Sequence, residues 1–121
     1  MWRAKKFAVA ARGVAVSIRD HNSFWAHGVV SLLVLGLAAL LQIETWRWVA
    51  VVFAITLVWT AELLNTALEE LVKAIHPQPD AHVGRSLDAA AGAVLVASAG
   101  AVVIGLLSLG EPLWTWIFAT I

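Results

Sequence analysis

Four side chains near the middle of the sequence could do chemistry together: Glu62, Asn65, Glu69 and Glu70. Their spacing puts Glu62, Asn65 and Glu69 on one face of a helix, because positions three, four and seven apart stack above one another. The surrounding residues are apolar, and a carboxylate inside a bilayer costs about 2.5 kcal/mol or more at the helix centre. Such groups need a cation, a proton or a partner helix. Carboxylates with an amide suit a hard cation such as magnesium, which takes oxygen ligands and often one or two carboxylates alongside substrate phosphates. One carboxylate could also take a proton from an attacking hydroxyl. Glu70 and Lys73 read instead as the solvated end of a helix, and His27, His76 and His82 read as satisfied polar groups, since no pair of them has metal-ligand spacing.

The elements that position these groups follow from where charge is missing. No Asp, Glu, Lys or Arg occurs between Asp20 and Glu44, over positions 48–61, or over positions 89–110. A bilayer-spanning helix needs roughly 20 mostly apolar residues. The sequence predicts an all-α membrane protein of one domain, 1–121, with spans over 24–41, 46–73 and 83–107. Charged residues are 13% of the chain, against about 25% in a soluble protein, and net charge is zero. There is thus no basic field for nucleic acid, and the absence of cysteine excludes thiolate chemistry.

Residues 1–20 carry Arg3, Lys5, Lys6, Arg12 and Arg19 among Phe7, Val9, Val14, Val16 and Ile18, the pattern of an amphipathic helix lying in the interface. Arg12 and Arg19 precede any long apolar run, which argues against a cleaved signal peptide. Asp20-His21-Asn22-Ser23 reads as a helix-start cluster whose side chains cap the first span. Gln42-Ile43-Glu44-Thr45 reads as a turn, His76-Pro77-Gln78-Pro79-Asp80 as a loop, and Gly110-Glu111-Pro112 as an interruption of the tail. Lys and Arg are concentrated in the N-terminal segment and at Lys73 and Arg85, which predicts a cytoplasmic N-terminus and second loop. Asp88 then opens the third span at a depth similar to the Glu62–Glu69 face, and Asp20, His21, Asn22 and His27 open the first. Ala89, Ala93, Ala97, Ala101 and Gly105 recur every four residues, with Gly92 and Gly100 beside them, a stripe suited to close packing against another helix.

Glu62-Leu63-Leu64-Asn65-Thr66-Ala67-Leu68-Glu69 resembles the signature of the prokaryotic diacylglycerol kinases and undecaprenol kinases. Asp88-Ala89-Ala90-Ala91-Gly92-Ala93-Val94-Leu95 is similar to the family's second motif. Phe7, Ala10 and Gly13 match its N-terminal helix, and Ser23-Phe24 with His27 its first span. The resemblance covers essentially the whole chain. It implies a homotrimer in the bacterial cytoplasmic (inner) membrane, with ATP as co-substrate and magnesium as cofactor, phosphorylating the hydroxyl of a membrane lipid, diacylglycerol or undecaprenol. It implies Glu69 as general base or metal-linked carboxylate, Glu62 as a metal or nucleotide ligand, Asn65 as the positioning amide, and Asp88 as the residue completing the site. No Walker-type glycine loop is present.

This chain departs from the pattern in places. Leu87 stands where a lysine is usual, Lys73 follows Val72 where an aspartate is usual, and His21 stands where an acid is usual. Arg85, three residues before Asp88, is the candidate replacement cation for phosphate. The departures leave open a compensated kinase, an altered preference, or a catalytically silent homologue acting as a membrane assembly module. A proton-coupled transporter using Glu62 or Glu69 is a further alternative, although a transporter would place its carboxylate near the midplane.

Overall fold

The structure, a computed structural model, describes residues 2–120. Met1, the first residue of the expected interfacial helix, lies outside the described residues. The described residues form helices α1 (Trp2–Asp20), α2 (Asn22–Leu41), α3 (Thr45–Ile75) and α4 (Ala81–Thr120), and no strand. The last three are each long and apolar enough to cross a membrane. At 1.5 Å per residue, α3 is about 46 Å long and α4 about 60 Å, both longer than a hydrocarbon core of about 30 Å.

The helix ends have distinct physical causes. Between α1 and α2 a single residue, His21, adopts extended backbone. The expected side-chain cap is absent there: His21 makes no capping hydrogen bond, Asp20 pairs with Arg19 at 3.1 Å, and the Ser23 hydroxyl is committed to α3. α2 ends on Gln42 in the left-handed region, φ 51° and ψ 53°. The Gln42 N–H donates to the Ala39 carbonyl and the Ile43 N–H to the Ala38 carbonyl. That is the double closure of a Schellman motif, and Ile43 and Ala38 share one apolar cluster as the motif favours. α4 begins at a true cap. Asp80 Oδ1 accepts from the Val83 and His82 N–H groups at 3.1 and 2.8 Å. Those bonds, Val83's foremost, hold the exposed Asp80 carboxyl below its ordinary value.

The tail differs from expectation. Gly110-Glu111-Pro112 does not interrupt it, and α4 runs on through Pro112 to Thr120. A proline inside a helix leaves the carbonyl four residues earlier without a donor. Here that carbonyl belongs to Ser108, and Arg47 Nη1 donates to it at 2.9 Å. Arg47 also donates from Nε to Glu44 and from Nη2 to Glu111, each at 3.3 Å, and its guanidinium lies 4.5 Å from the Trp46 ring centroid. With only 6% of its surface exposed, Arg47 is a clamp on α4. Beside it Ala38, Ile43, Val51 and Leu109 form the buried apolar cluster where α2, the first turn, α3 and α4 meet. The polar groups of interest lie toward the other end of the bundle.

α3 and α4 make the most extensive packing, and α2 packs on α3 less extensively. The small-residue stripe is not consumed by packing within the chain. Ala97 is buried, but a Cβ added at Gly92, Gly100 or Gly105 would meet nothing within 4 Å. Ala89, Ala93, Ala97, Gly92 and Gly100 instead floor an open groove of about 1010 Å³, walled by α3 residues including Leu57, Leu64 and Asn65.

Candidate active site

The Glu62–Asn65–Glu69 face exists because α3 is unbroken across it, and the structure divides its residues into two arrangements. In the first, the Asn65 amide Nδ2 donates to Glu69 Oε1 at 3.1 Å, the i,i+4 contact its spacing allows. Asn65 Oδ1 is buried and without a hydrogen-bond partner. Unpaired buried acceptors are rare because leaving one unmade costs about 1–3 kcal/mol. This one sits beside a carboxylate, on a residue that lines the α3–α4 groove.

In the second arrangement Glu62, 6% exposed, turns toward α2. Ser23 Oγ donates to its Oε1 at 2.6 Å, and His27 Nε2 lies 3.3 Å from its Oε2, donating in the tautomer that pairs with a carboxylate. Trp59, one turn earlier on α3, donates from Nε1 to Ser31 Oγ at 3.0 Å and packs on the fully buried Phe24. These contacts align positions 23, 24, 27 and 31 of α2 with positions 59 and 62 of α3. Near the helix end, His21 Nε2 lies 3.6 Å from Glu70 Oε1 and Lys73 Nζ 3.4 Å from the same oxygen. The imidazole at position 21 thus meets an acid on α3.

Asp88 and Arg85 stand exposed at the start of α4, and among the described residues neither is joined to Glu62, Asn65 or Glu69 by a hydrogen bond or ion pair. Asp88 directly precedes Ala89, which lines the groove shared with Asn65. Among the described residues no three His, Asp or Glu side chains converge as a metal cluster. A magnesium site here would therefore be lean in protein ligands. That still fits the ion, which binds through one or two protein oxygens plus substrate phosphates. The unpartnered Asn65 Oδ1 and the adjoining Glu69 carboxylate are oxygen donors of that kind. Glu62, the other expected ligand, has both oxygens engaged by α2.

Over residues 8–109 the sequence matches the family model described as prokaryotic diacylglycerol kinase. The chain belongs to this family. Among curated proteins, the undecaprenol kinase of Bacillus subtilis strain 168 is 33% identical over 103 residues, covering 85% of this chain and 84% of that protein. The chain is thus a lipid kinase, and the matched stretch contains all of Glu62, Asn65, Glu69, Arg85 and Asp88. It includes Arg47 and Ser108 and ends before Pro112, so only the tail after the clamped carbonyl of this prokaryotic diacylglycerol kinase family member lies beyond it.

Two residues of the site escaped the sequence reading in their roles. Ser23 was expected to cap α2, and His27 to be a satisfied polar group of no named partner. Their separation of four residues was the available signal, since it faces both toward one neighbour.

Proposed function

We propose that this lipid kinase transfers the γ-phosphoryl group of ATP, with magnesium, to the hydroxyl of a membrane lipid, and that the lipid is undecaprenol. The observation that carries the reading is the Asn65–Glu69 pair with its unpartnered buried oxygen, at the end of an apolar three-helix bundle. The choice of undecaprenol leans on the Bacillus subtilis relative, and diacylglycerol is the competing substrate.

In this mechanism the Asn65 amide holds Glu69 Oε1 and leaves Oε2 available. Glu69 accepts the proton of the lipid hydroxyl as that oxygen bonds to the γ-phosphorus, and the bond from phosphorus to the β,γ-bridging oxygen breaks. Lipid phosphate and ADP result. Asn65 Oδ1 and Glu69 would hold magnesium, which when bound supplies neutralisation of phosphate charge. Asp88 and Arg85 serve the nucleotide end at the entrance to α4, Arg85 offering the phosphate-gripping fork that Leu87 lacks. Glu62 completes the acidic face.

The enzyme works as a homotrimer in the bacterial inner membrane with its N-terminus and site on the cytoplasmic side. The uncovered small-residue groove supports self-association, since such surfaces let helix backbones approach closely. A silent assembly module is the second reading, favoured by Leu87 in place of the family lysine. Purified protein in mixed micelles with ATP, magnesium and either lipid decides between them. Labelled undecaprenyl phosphate forming faster than phosphatidic acid supports the proposal. No phosphorylated lipid from either substrate rejects it in favour of the assembly module.

A further inference from the structure

Glu62 is the one carboxylate among the described residues that is buried, and it is gripped from a different helix. Ser23 Oγ holds one oxygen at 2.6 Å and His27 Nε2 stands 3.3 Å from the other, so α2 fixes the rotation as well as the place of the carboxylate. Relief of the burial cost alone would be met by partners at a single oxygen. Two donors, one per oxygen, determine the plane of the group. Phe24, between them in sequence, is fully buried and packs on Trp59, and the Trp59–Ser31 bond pins the next turns, so neither donor is free to drift.

The position of Glu62 along α3 gives that fixation a use. Glu62 precedes Glu69 by seven residues on the same face, about 10.5 Å further from the 76–80 loop. Glu69 therefore stands nearer the polar loop and Glu62 nearer the apolar part of the bundle. We propose that Ser23 and His27 are positioning residues for the phosphoryl transfer, holding Glu62 in one fixed orientation at the inner end of the Glu62–Asn65–Glu69 face. The inference rests on the kinase reading above. Positioning of this kind acts on turnover, because a reacting group displaced by about 1 Å can cost a hundredfold in rate while leaving ground-state binding intact.

The test measures kcat and the KM for ATP in mixed micelles for Ser23→Ala, His27→Ala and their conservative counterparts Ser23→Thr and His27→Gln. The glutamine amide nitrogen reaches about where imidazole Nε2 stands. Unfolding midpoint and crosslinked oligomer are recorded for each variant. Expected are an approximately tenfold or greater fall in kcat for each alanine variant and a KM for ATP within about twofold of wild type. Threonine and glutamine should recover most of the loss. Four results overturn the proposal: unchanged kcat in both alanine variants; a raised KM for ATP at constant kcat; glutamine and threonine no better than alanine; or a fall in kcat that only follows the loss of folded protein. If His27→Ala fails to fold, Ser23→Ala and His27→Gln still decide. A wild type inactive on both lipids removes the kinase reading itself, a result distinct from an active wild type whose variants are indifferent.

Discussion

The clamp that Arg47 places on α4 can be taken apart and repaired. Arg47→Ala removes the donor from the Ser108 carbonyl, and Pro112 has no N–H to replace it. Ser108 is 2% exposed in the intact protein, so its carbonyl relies on Arg47 for that bond. An unmade buried bond costs about 1–3 kcal/mol. Loss of the guanidinium over Trp46 adds roughly 0.5–1 kcal/mol. The pairs with Glu44 and Glu111 add at most about 1 kcal/mol, because both acids are mostly exposed. The expected destabilisation is about 2–4 kcal/mol. Pro112→Ala restores an N–H four residues after Ser108. Alone it should be close to neutral, but in the Arg47→Ala background it should recover about 1–2 kcal/mol. Reversible unfolding of the four proteins in detergent micelles gives the double-mutant cycle. A coupling energy within about 0.5 kcal/mol of zero would refute the view that Arg47 substitutes for the missing proline donor.

Other perturbations test other parts of the molecule. Glu69→Gln should abolish lipid phosphorylation while assembly on crosslinking is unchanged, and activity within a few-fold of wild type would remove the general-base role. Arg85→Ala should raise the KM for ATP and lower turnover, with Leu87→Lys recovering part of the loss; normal ATP kinetics in Arg85→Ala would leave it only an anchoring charge. Ala97→Leu should reduce the crosslinked oligomer, because the side chain would enter the α3–α4 groove, and unchanged assembly would mean that no neighbour packs there. The Asp80 cap should fail in acid. Its folded-state pKa is depressed, so its contribution is present above the ordinary aspartate value and is lost as pH falls through the folded value. Relative to its intrinsic rate, hydrogen exchange at His82 and Val83 should accelerate across that acidic window in wild type. In Asp80→Ala it should be fast throughout and lack that step.

Much of the fold was legible because charge is so costly in a bilayer that its absence marks a span. The Asn65–Glu69 contact was legible for a different reason: both partners lie on one helix, where periodicity fixes the geometry. Contacts between helices were not. Ser23 and His27 precede Glu62 by 39 and 35 residues, and nothing local to Glu62 names them. The tail was misread for the same cause. The rule that proline ends a helix counts the lost donor, yet Arg47, 61 residues before Ser108, supplies another. At His21 the cap rule named side chains that could bind backbone, but the Ser23 hydroxyl had a stronger acceptor in a buried carboxylate.

The grip on Glu62 also bears on how the protein is made. Synthesis starts at the N-terminus, so Ser23 and His27 emerge well before Glu62 does. Glu62 has no partner of its own on α3 and finds both on α2. A helix entering lipid with an unmatched acid meets a barrier that a waiting neighbour removes. α2 thus offers α3 the partners its acid needs, and a hairpin of the two closed by the Gln42 turn would carry Glu62 already matched. α4 carries no buried charge of its own and can join afterwards by shape.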